Sequence, residues 1–397
     1  MRSVSLSQTS MTAETVLKGA LPEAVYVHVP FCRHKCHYCD FYSIVDGRDR
    51  EDDFVRRLAE ELAATSEIVD LSHVKTIFIG GGTPTLLNAA MLDRMLLEIN
   101  QHIVESTASL QEWTIEVNPE TLDETKAQIL VEHGVNRVSI GCQSFSPRLL
   151  KELERQHDPR SVPQAIEYAR LAGIEHVSLD LIFGVPTSTL EEWKNDLEHA
   201  LALGPDHLSC YALTFETGTA LYEKRRLGLV HELDDALQIE MYNHTRDRLE
   251  ACFEQYEISN WAKDGGRCEH NQLYWRNADW IALGPAASGH IQGTRWRNIP
   301  RLDTWLSNGP FSPIVDREDP EPSRTAGERL MLGLRLTAGL SDEVLNKILS
   351  ADASNEIRRR EVLDQGLLDG TLRRRGNGVA FSRAGVLQAD GFLADLL

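Results

Sequence analysis

The sequence predicts an α/β protein, a partial (β/α)6 barrel followed by a small helical domain. From about residue 24, six short β-branched runs alternate with longer amphipathic stretches, a pattern that gives a parallel sheet covered by helices. Polar residues stand at or just after the ends of these runs, where (β/α) barrels place their functional side chains. After about residue 255 the alternation stops. An open doubly wound sheet would show the same alternation, so the residues alone leave the closure of the barrel open.

Six strands and six helices are predicted for the barrel, which we assign to residues 23–255. The strands span residues 25–29, 74–79, 113–117, 137–140, 176–181 and 207–210. The helices span residues 52–66, 88–102, 122–133, 162–172, 190–203 and 234–252. Each strand is short and apolar, whereas each helix repeats its apolar residues every three or four positions.

The rest of the chain divides into four segments. Residues 1–22 are polar and predict a flexible N-terminal tail, residues 256–308 are rich in Gly, Trp and Asn and predict irregular structure, and residues 309–323 predict a Pro-rich linker. Residues 324–397 predict helices over 325–336, 341–348 and 356–365 and a hairpin over 372–381. Helices followed by a hairpin are typical of a winged-helix-like domain, which the acidic composition favours as a lid or docking module.

Composition and charge restrict the class of protein. Apolar residues make up 42% and charged residues 25% of the 397 residues, as in soluble globular proteins. A net charge of −19 argues against a nucleic-acid partner. Seven cysteines are too few and too irregularly spaced for a secreted disulfide framework. With no long apolar segment, the sequence predicts a cytoplasmic protein without a transmembrane segment.

Three cysteines crowd into eight residues at Cys32, Cys36 and Cys39. Three thiolates at this spacing can hold three irons of a [4Fe–4S] cluster, which leaves the fourth iron open because no fourth cysteine is close in sequence. The alternatives are a zinc site, which generally needs four protein ligands, or three unrelated thiols. The C-x3-C-x2-C spacing, with an aromatic residue before the last cysteine, resembles the radical S-adenosylmethionine (SAM) superfamily. That resemblance implies that SAM binds the open iron.

Residues at the ends of the later strands are candidates for the SAM pocket. Glycines 80–82 would let backbone amides approach a ligand, although a tight turn needs glycine too. Glu116 ends the third strand and could bind a hydroxyl or amine, or could simply be a solvated carboxylate. An aspartate within an apolar strand is costly unless it is paired, so Asp180 is read as functional. Arg155 suits a site or a surface helix equally.

Several segments together resemble the family of oxygen-independent coproporphyrinogen III oxidase. They are Tyr-Val-His-Val-Pro-Phe-Cys, Gly-Gly-Gly-Thr-Pro-Thr, Asn-Pro-Glu, Gly-Cys-Gln-Ser-Phe and Asp-Leu-Ile-Phe-Gly-Val-Pro. The resemblance implies a radical-SAM barrel, with Tyr26, Gly81 and Glu116 serving a first SAM. By the same resemblance a second SAM site would be lined by Tyr38, Gly82, Thr83, Gln143, Arg155, Asp180 and Ala212. Whether one or two SAM molecules bind stays open, and the resemblance assigns no catalytic residue.

The sequence departs from the oxidases of that family and resembles its haem chaperone branch. The oxidases carry a further cysteine two positions past the cluster motif, where this chain has Phe41. The runs at 256–262 and 270–275 (His-Asn-Gln-Leu-Tyr-Trp) resemble the chaperone branch and imply that His270 and Tyr274 bind haem. Imidazole is a common axial haem ligand and phenol a rarer one. A satisfied turn in the protein core would use the same residues.

These observations predict a haem chaperone that carries a [4Fe–4S] cluster, SAM and haem and delivers the haem to an apo-haemoprotein. It would need a reducing electron donor, and a homodimer stays open. The alternative is a radical-SAM enzyme that acts on a tetrapyrrole, by oxidative decarboxylation of coproporphyrinogen III, or on a second SAM as a methyltransferase or cyclopropanase. Enzymatic activity is therefore left undecided. A degraded relative that keeps the cluster only as a structural element is a third interpretation.

Overall fold

The computed structural model describes residues 11–397. Its strands are Ala24–Val29 (β1), Thr76–Gly81 (β2), Glu112–Val117 (β3), Arg137–Gln143 (β4), His176–Phe183 (β5), His207–Ala212 (β6), Glu254–Glu257 (β7), Asn260–Ala262 (β8), Trp280–Leu283 (β9), Ser288–Ile291 (β10), Thr294–Asn298 (β11), Ile314–Glu318 (β12), Leu340–Ser341 (β13), Leu372–Arg374 (β14) and Gly378–Phe381 (β15).

The α-helices pack around the main sheet or build the C-terminal domain. They are Glu14–Leu17 (α1), Glu51–Ile68 (α2), Ala89–His102 (α3), Glu124–Glu132 (α4), Pro147–Glu152 (α5), Ser161–Ala172 (α6), Leu190–Ala202 (α7), Ala220–Arg226 (α8), Asp235–Leu249 (α9), Glu269–Trp275 (α10), Leu302–Ser307 (α11), Pro322–Arg335 (α12), Asp342–Ser350 (α13), Glu356–Asp369 (α14) and Ala389–Ala394 (α15). Among the described residues, none of these helices is both long enough and apolar enough to span a bilayer.

The main sheet has twelve strands in the order β12-β11-β10-β9-β1-β2-β3-β4-β5-β6-β8-β7. Strands β1 to β6 are parallel and follow the chain. On the other side of β1, strand β9 is also parallel to it, whereas β6 pairs with β8 in the antiparallel sense. Strands β1 and β6 do not pair, so the sheet remains open. This confirms the predicted α/β fold and its partial (β/α)6 barrel.

Alternate residues of the barrel strands face the helices and the barrel interior. Val25 and Val27 of β1 join one apolar core with Phe54 and Leu58 of α2. Tyr26, between them, points to the other face and hydrogen-bonds within the interior. This follows from the two-residue period of a strand. One face therefore supplies the stability of the fold, and the other supplies polar side chains to the interior.

The predicted segments outside the barrel differ from the observed structure in three places. Residues 256–308, expected to be irregular, carry β8 to β11 together with α10 and α11. Each of these strands is only three to five residues long, so the sequence shows too few alternations to reveal a two-residue period. Residues 309–323, expected to be a linker, contain β12, which pairs with β11 at the edge of the main sheet.

The expected N-terminal tail is also different from Met11 onward, whereas residues 1–10 lie outside the described part of the chain. Leu17 is buried in the barrel core at 1% exposure. The amide of Ala13 donates to the carbonyl of Ser312 (2.9 Å), and that of Ile314 donates to the carbonyl of Met11 (2.9 Å). The segment is polar overall, but its apolar residues Ala13, Leu17 and Ala20 are buried against the barrel core.

The C-terminal domain has its own core. Helices α12 to α15 surround the three-stranded sheet β13-β15-β14. Leu330, Leu345, Leu363 and Phe381 belong to one apolar cluster that is separate from the barrel core. Helix α12 contacts α10 of the barrel, which places the domain beside the His-Asn-Gln-Leu-Tyr-Trp segment.

Candidate cluster and cofactor site

The three cysteines lie on one loop that follows β1. The loop turns back on itself, because the amide of Cys32 donates to the carbonyl of Ile44 (2.9 Å) and the amide of Ile44 donates to that of Pro30 (2.8 Å). Cys36 and Cys39 form a turn within it, with the Cys39 amide donating to the Cys36 carbonyl (3.2 Å). All three thiols line a cleft of about 660 Å³ at the carboxyl ends of the barrel strands.

The thiols have polar neighbours that suit sulfur ligands of iron. The Sγ of Cys32 is 3.7 Å from the Thr83 hydroxyl. A guanidinium nitrogen of Arg155 is 3.8 Å from the Sγ of Cys36. Burial raises the pKa of Cys32 and raises that of Cys39 to about 11, so metal binding must displace thiol protons. Hydrogen bonds to cluster sulfurs tune an iron–sulfur site.

The arrangement of donors fits a cluster better than a single ion. Among the described residues, no three His, Cys, Asp or Glu side chains converge on one metal position. A tetrahedral zinc site requires four ligands around one ion. A [4Fe–4S] cluster instead accepts each cysteine on a different iron. The remaining cysteines lie outside the cleft lining: Cys142, Cys210, Cys252 and Cys268.

Gly81 is required by packing. It has φ +102°, and a Cβ placed on it would lie 2.3 Å from the imidazole of His28. Its amide donates to Glu116 Oε2 at 3.0 Å. We expected this amide to be free for a ligand, but the structure shows that it instead fixes the Glu116 carboxylate. The glycine thus joins the cofactor end of β2 to the neighbouring strands.

Gly82 and Thr83 hold the cluster loop. The Gly82 amide donates to the carbonyl of Val29 (2.8 Å), and the Thr83 amide donates to that of Phe31 (2.7 Å). A Cβ on Gly82 would lie 2.5 Å from the Phe31 oxygen. The glycine triplet therefore allows β2 to approach the chain just before Cys32. Its role is the close approach of two backbone segments, in addition to any contact with a ligand.

Two carboxyls face the barrel interior near this cleft. The backbone amide of Gly81 is the protein hydrogen-bond donor found for Glu116. Burial first, and then the nearby Asp180, raise the pKa of Glu116 to about 7. Asp180 accepts hydrogen bonds from the Ser139 hydroxyl at 3.2 and 3.0 Å, and burial raises its pKa too. A half-buried carboxylate with so few protein donors fits a ligand that brings an amine or hydroxyls.

Arg155 lies inside the protein. It follows α5, and its guanidinium donates to the carbonyl of Gly141 (3.0 Å) and approaches Cys36 and His157. The surface-helix interpretation of this residue is therefore wrong. Its positive charge lies between the cluster thiols and the two interior carboxyls, where it lowers the pKa of both carboxyls against the effect of burial.

The other predicted SAM residues surround the same end of the sheet. Tyr38 lines the cleft, and burial raises the pKa of its phenol. Gln143 ends β4 with φ +64° at a break in the β4–β5 register. Ala212 ends β6 opposite Phe183 and is exposed. These residues all occupy the carboxyl ends of their strands or the loops next to them.

The predicted haem residues occupy the opposite end of the barrel. His270 Nδ1 is 2.7 Å from the hydroxyl of Thr76, the first residue of β2, and its Nε2 is 2.8 Å from the Tyr274 hydroxyl. Gly81, at the other end of β2, is about 16 Å away along the strand. Burial lowers the pKa of His270 to about 4. The imidazole is therefore neutral and fully hydrogen-bonded.

Tyr274 reaches from α10 into the barrel interior. Its ring packs edge-on against Trp280 at 4.7 Å between centroids. The ring of Phe78 is 6.2 Å from that of Tyr26 and 5.1 Å from that of His270, and the pKa of Tyr26 is raised by burial, then by Glu116 and by Tyr274. Trp275 points elsewhere and stacks under the guanidinium of Arg335 at 4.5 Å. The barrel interior thus connects the Tyr274 hydroxyl to the SAM end.

Two groups of functional interest were missed in the sequence. His28 bonds the Tyr26 hydroxyl (3.1 Å) and the Tyr42 carbonyl (2.8 Å) beneath the cluster loop. Its position two residues after Tyr26, on the same strand face, is a signal that could have identified it. Glu112 pairs with Arg137 at 2.9 Å, both buried. Charged residues that begin apolar strands are the corresponding signal.

This fold and this loop define a class of protein. The model of the Radical SAM superfamily matches residues 26–200. Coproporphyrinogen III oxidase (HemN) from Escherichia coli is similar in fold, with a TM-score of 0.80 and 19% identity over 96% of this chain and 90% of that one.

Curated relatives narrow the class. The chain is 37% identical to "Heme chaperone HemW" of Bacillus subtilis over 80% of this chain and 85% of the relative. It is 35% identical to the protein of the same name from Mycobacterium tuberculosis, over 95% of both chains. It is 39% identical to that from Escherichia coli, over 68% of this chain and 70% of the relative. The chain belongs to the family of the heme chaperone HemW.

Proposed function

We propose that this protein is a radical-SAM haem chaperone that binds haem and hands it to an apo-haemoprotein. The observation that carries the proposal is the similarity to HemW proteins, one of which matches over 95% of this chain. A labile cluster requires a reducing compartment, so we place the protein in the cytoplasm. An electron donor would be a further partner.

The cluster and SAM would occupy the cleft at the carboxyl ends of the strands. When bound through Cys32, Cys36 and Cys39, the cluster supplies an iron with an open coordination position and a source of single electrons. Thr83 and Arg155 donate to its sulfur ligands and so hold their orientation.

SAM would be held by the interior polar groups. Glu116 accepts a hydrogen bond from the ligand on the side not taken by Gly81, with Tyr26 beside it. A second molecule would be lined by Tyr38, Gly82, Thr83, Gln143, Arg155, Asp180 and Ala212. Arg155 offers the positive charge that a carboxylate group of such a ligand requires.

Haem would bind beside α10, with the Tyr274 hydroxyl as the group that meets the iron. With Nδ1–H donating to Thr76, the neutral His270 presents Nε2 as the acceptor for the Tyr274 proton. Phenolate is an established haem ligand. His270 then acts through Tyr274, as a positioning residue that takes up the phenol hydrogen bond.

Haemin titration of the anaerobically reconstituted protein tests the proposal. We expect saturable binding with a defined Soret band, and at least tenfold weaker binding with a shifted band in Tyr274→Phe. The matched control is Tyr242→Phe, which removes a buried phenol on α9 that donates to the carbonyl of Ile258 at 2.9 Å. Its haemin affinity should equal that of the wild type. Unchanged haemin affinity in Tyr274→Phe would refute the assignment of this haem site. Absence of specific haemin binding by the wild type would refute the proposed function.

The enzymatic alternative is tested with the same preparation. The reduced protein is incubated with SAM and coproporphyrinogen III, and the products are analysed for protoporphyrinogen. We expect none from a carrier. Turnover to protoporphyrinogen would replace the chaperone proposal with a decarboxylase.

A further inference from the structure

An arginine-rich cleft lies between the barrel and the C-terminal domain. Its volume is about 990 Å³, and strand β7, the end of α12 and the β14–β15 hairpin contribute to its lining. One carboxylate, Glu254, lines it, and this group pairs with Arg267. Five arginines line the same cleft: Arg246, Arg335, Arg373, Arg375 and Arg383.

The charges of three of these arginines are not neutralised by a carboxylate. Arg246 donates to the carbonyl of Arg383 (2.6 Å), Arg373 to that of Phe381 (3.3 Å), and Arg375 to that of Thr337. No ion pair among residues 11–397 includes any of the three. On a chain with net charge −19, a concave site with uncompensated guanidiniums concentrates positive potential.

Arg335 connects this cleft to α10. The guanidinium of Arg335 forms an ion pair with the buried Glu257 at 3.5 Å. The same guanidinium stacks on the ring of Trp275. Its Nε, and the indole Nε1 of Trp275, are buried and have no hydrogen-bond partner in the described part of the chain. Buried donors without partners are rare in folded proteins. Trp275 directly follows Tyr274 in the chain.

The walls of the cleft restrict the ligand. Besides the arginines, the lining contains four polar residues, Glu254, Gln255, Thr337 and Ser382, and an apolar part formed by Ile258, Leu334, Leu336, Phe381 and Val386. Guanidiniums recognise carboxylates in a bidentate manner, and apolar walls favour a ligand with an apolar body. A nucleic acid would be repelled by the acidic remainder of the protein. Carboxylates on an apolar frame are the matching chemistry.

We infer that this cleft binds the propionate carboxylates of haem. The inference rests on the proposed function, because it takes haem as the cargo. Arg373 and Arg375 would bind the carboxylates. Arg335, which stacks on Trp275 at the end of α10, would link this site to that helix. Iron contact and propionate contact would thereby be assigned to different elements, the barrel helix and the C-terminal hairpin.

The test compares haemin with haemin dimethyl ester, in which both carboxylates are blocked, in one dilute detergent buffer. We expect the wild type to bind haemin at least tenfold more tightly than the ester. Arg373→Gln and Arg375→Gln should each weaken haemin binding about three- to tenfold and leave ester binding unchanged. Arg374→Gln is the matched control, because Arg374 lies on the same hairpin, pairs with Asp342 at 2.7 Å and is outside the cleft lining.

The outcomes separate this inference from the proposed function. Equal affinity for haemin and ester, with tight binding of both, overturns the propionate site and leaves the chaperone intact. Equal weakening by Arg374→Gln would show a general charge effect and overturn the site as well. Failure of the wild type to bind either porphyrin would instead refute the chaperone. Binding of a hexaglutamate peptide serves as a further probe. If the arginine variants weaken binding of this peptide but leave haemin binding unchanged, the cleft is a site for an acidic protein segment, and the propionate site is overturned.

Discussion

Glu116 is a single side chain in which burial and function compete. It is enclosed by the barrel strands, close to Asp180, and it receives one backbone hydrogen bond. A carboxyl in such surroundings favours its neutral form. A cationic or hydroxyl-bearing ligand would favour the ionised form instead. Glu116 therefore lowers the stability of the ligand-free protein and would favour binding of such a ligand.

We therefore expect the stability of the cluster-free, SAM-free protein to depend on Glu116 and pH. Its pKa is about 7 in the folded state and 4.5 ordinarily, so the folded protein holds a proton that the unfolded chain has released. Stability then falls as pH rises from about 4.5 to 7. Glu116→Gln should remove a penalty of about 3 kcal/mol at pH 8 and of less than about 1 kcal/mol at pH 5.

Thermal unfolding at pH 5, 6, 7 and 8 measures this difference. The melting temperature of Glu116→Gln minus that of the wild type should become more positive with pH. Glu175→Gln, at an exposed position before β5, should give a constant difference. A constant difference for Glu116→Gln as well would contradict the raised pKa.

The sequence predicted which residues gather at the cofactor end but not how they are held. The cysteine spacing and the polar residues at strand ends indicated Cys36 and Asp180, and the family resemblance added Arg155. The donation of the Gly81 amide to Glu116 and the packing of His28 on Gly81 depend on the register between strands. That register is set by contacts that no local pattern encodes.

Helix α10 is an element whose position depends on one carboxylate. Glu112, the first residue of β3, accepts hydrogen bonds from the amides of Glu269 (2.9 Å) and His270 (3.1 Å) and pairs with Arg137. Burial alone would raise the pKa of Glu112, but Arg137 and the two amides more than offset it and lower that pKa. The segment that carries the predicted haem residues is thus held in place by a residue outside it.

Replacing Glu112 with alanine should release this helix. The substitution leaves Arg137 buried without its partner, which costs about 3–5 kcal/mol. We expect a much lower melting temperature and faster hydrogen exchange at the amides of 269–275. Glu198→Ala, which breaks an exposed pair with Arg248, should cost under about 1 kcal/mol. Similar effects of the two substitutions would show that Glu112 does not anchor α10.

At the level of elements, sequence periodicity was accurate for the barrel and for the helices and hairpin of the C-terminal domain, and it failed for the segment between them. All six predicted barrel strands overlap β1 to β6, because each buries a continuous apolar face. The strands β8 to β11 were not predicted, since three to five residues show too few alternations and since β8 and β9 are held in the sheet by the distant strands β6 and β1. Tertiary context decided their conformation.

The whole molecule is closed at one edge by its own N-terminal segment. Residues 11–20 bridge α2 and the chain before β12, through the Ala13–Ser312 and Met11–Ile314 hydrogen bonds and the buried Leu17. The segment makes the barrel edge and the N-terminus one cooperative unit.

Leu17→Ala should therefore destabilise the entire protein. Removing a side chain that is 1% exposed typically costs about 2–5 kcal/mol. Leu21→Ala, at 44% exposure, is the matched control and should cost well under 1 kcal/mol, as exposed positions do. Urea unfolding of both variants measures the difference. Equal midpoints would show that this segment is not part of the folded unit.

The position of β1 bears on how the protein is made. This strand precedes the cluster loop, yet it pairs with β9, and 250 residues separate Val29 from Trp280. At about 5–20 residues per second, the ribosome needs about 10–50 s to supply them. Until then one edge of the nascent sheet lacks its neighbour, and the three thiols stand on an unfinished support. The sheet that carries the three thiols is therefore completed only after most of the polypeptide has emerged.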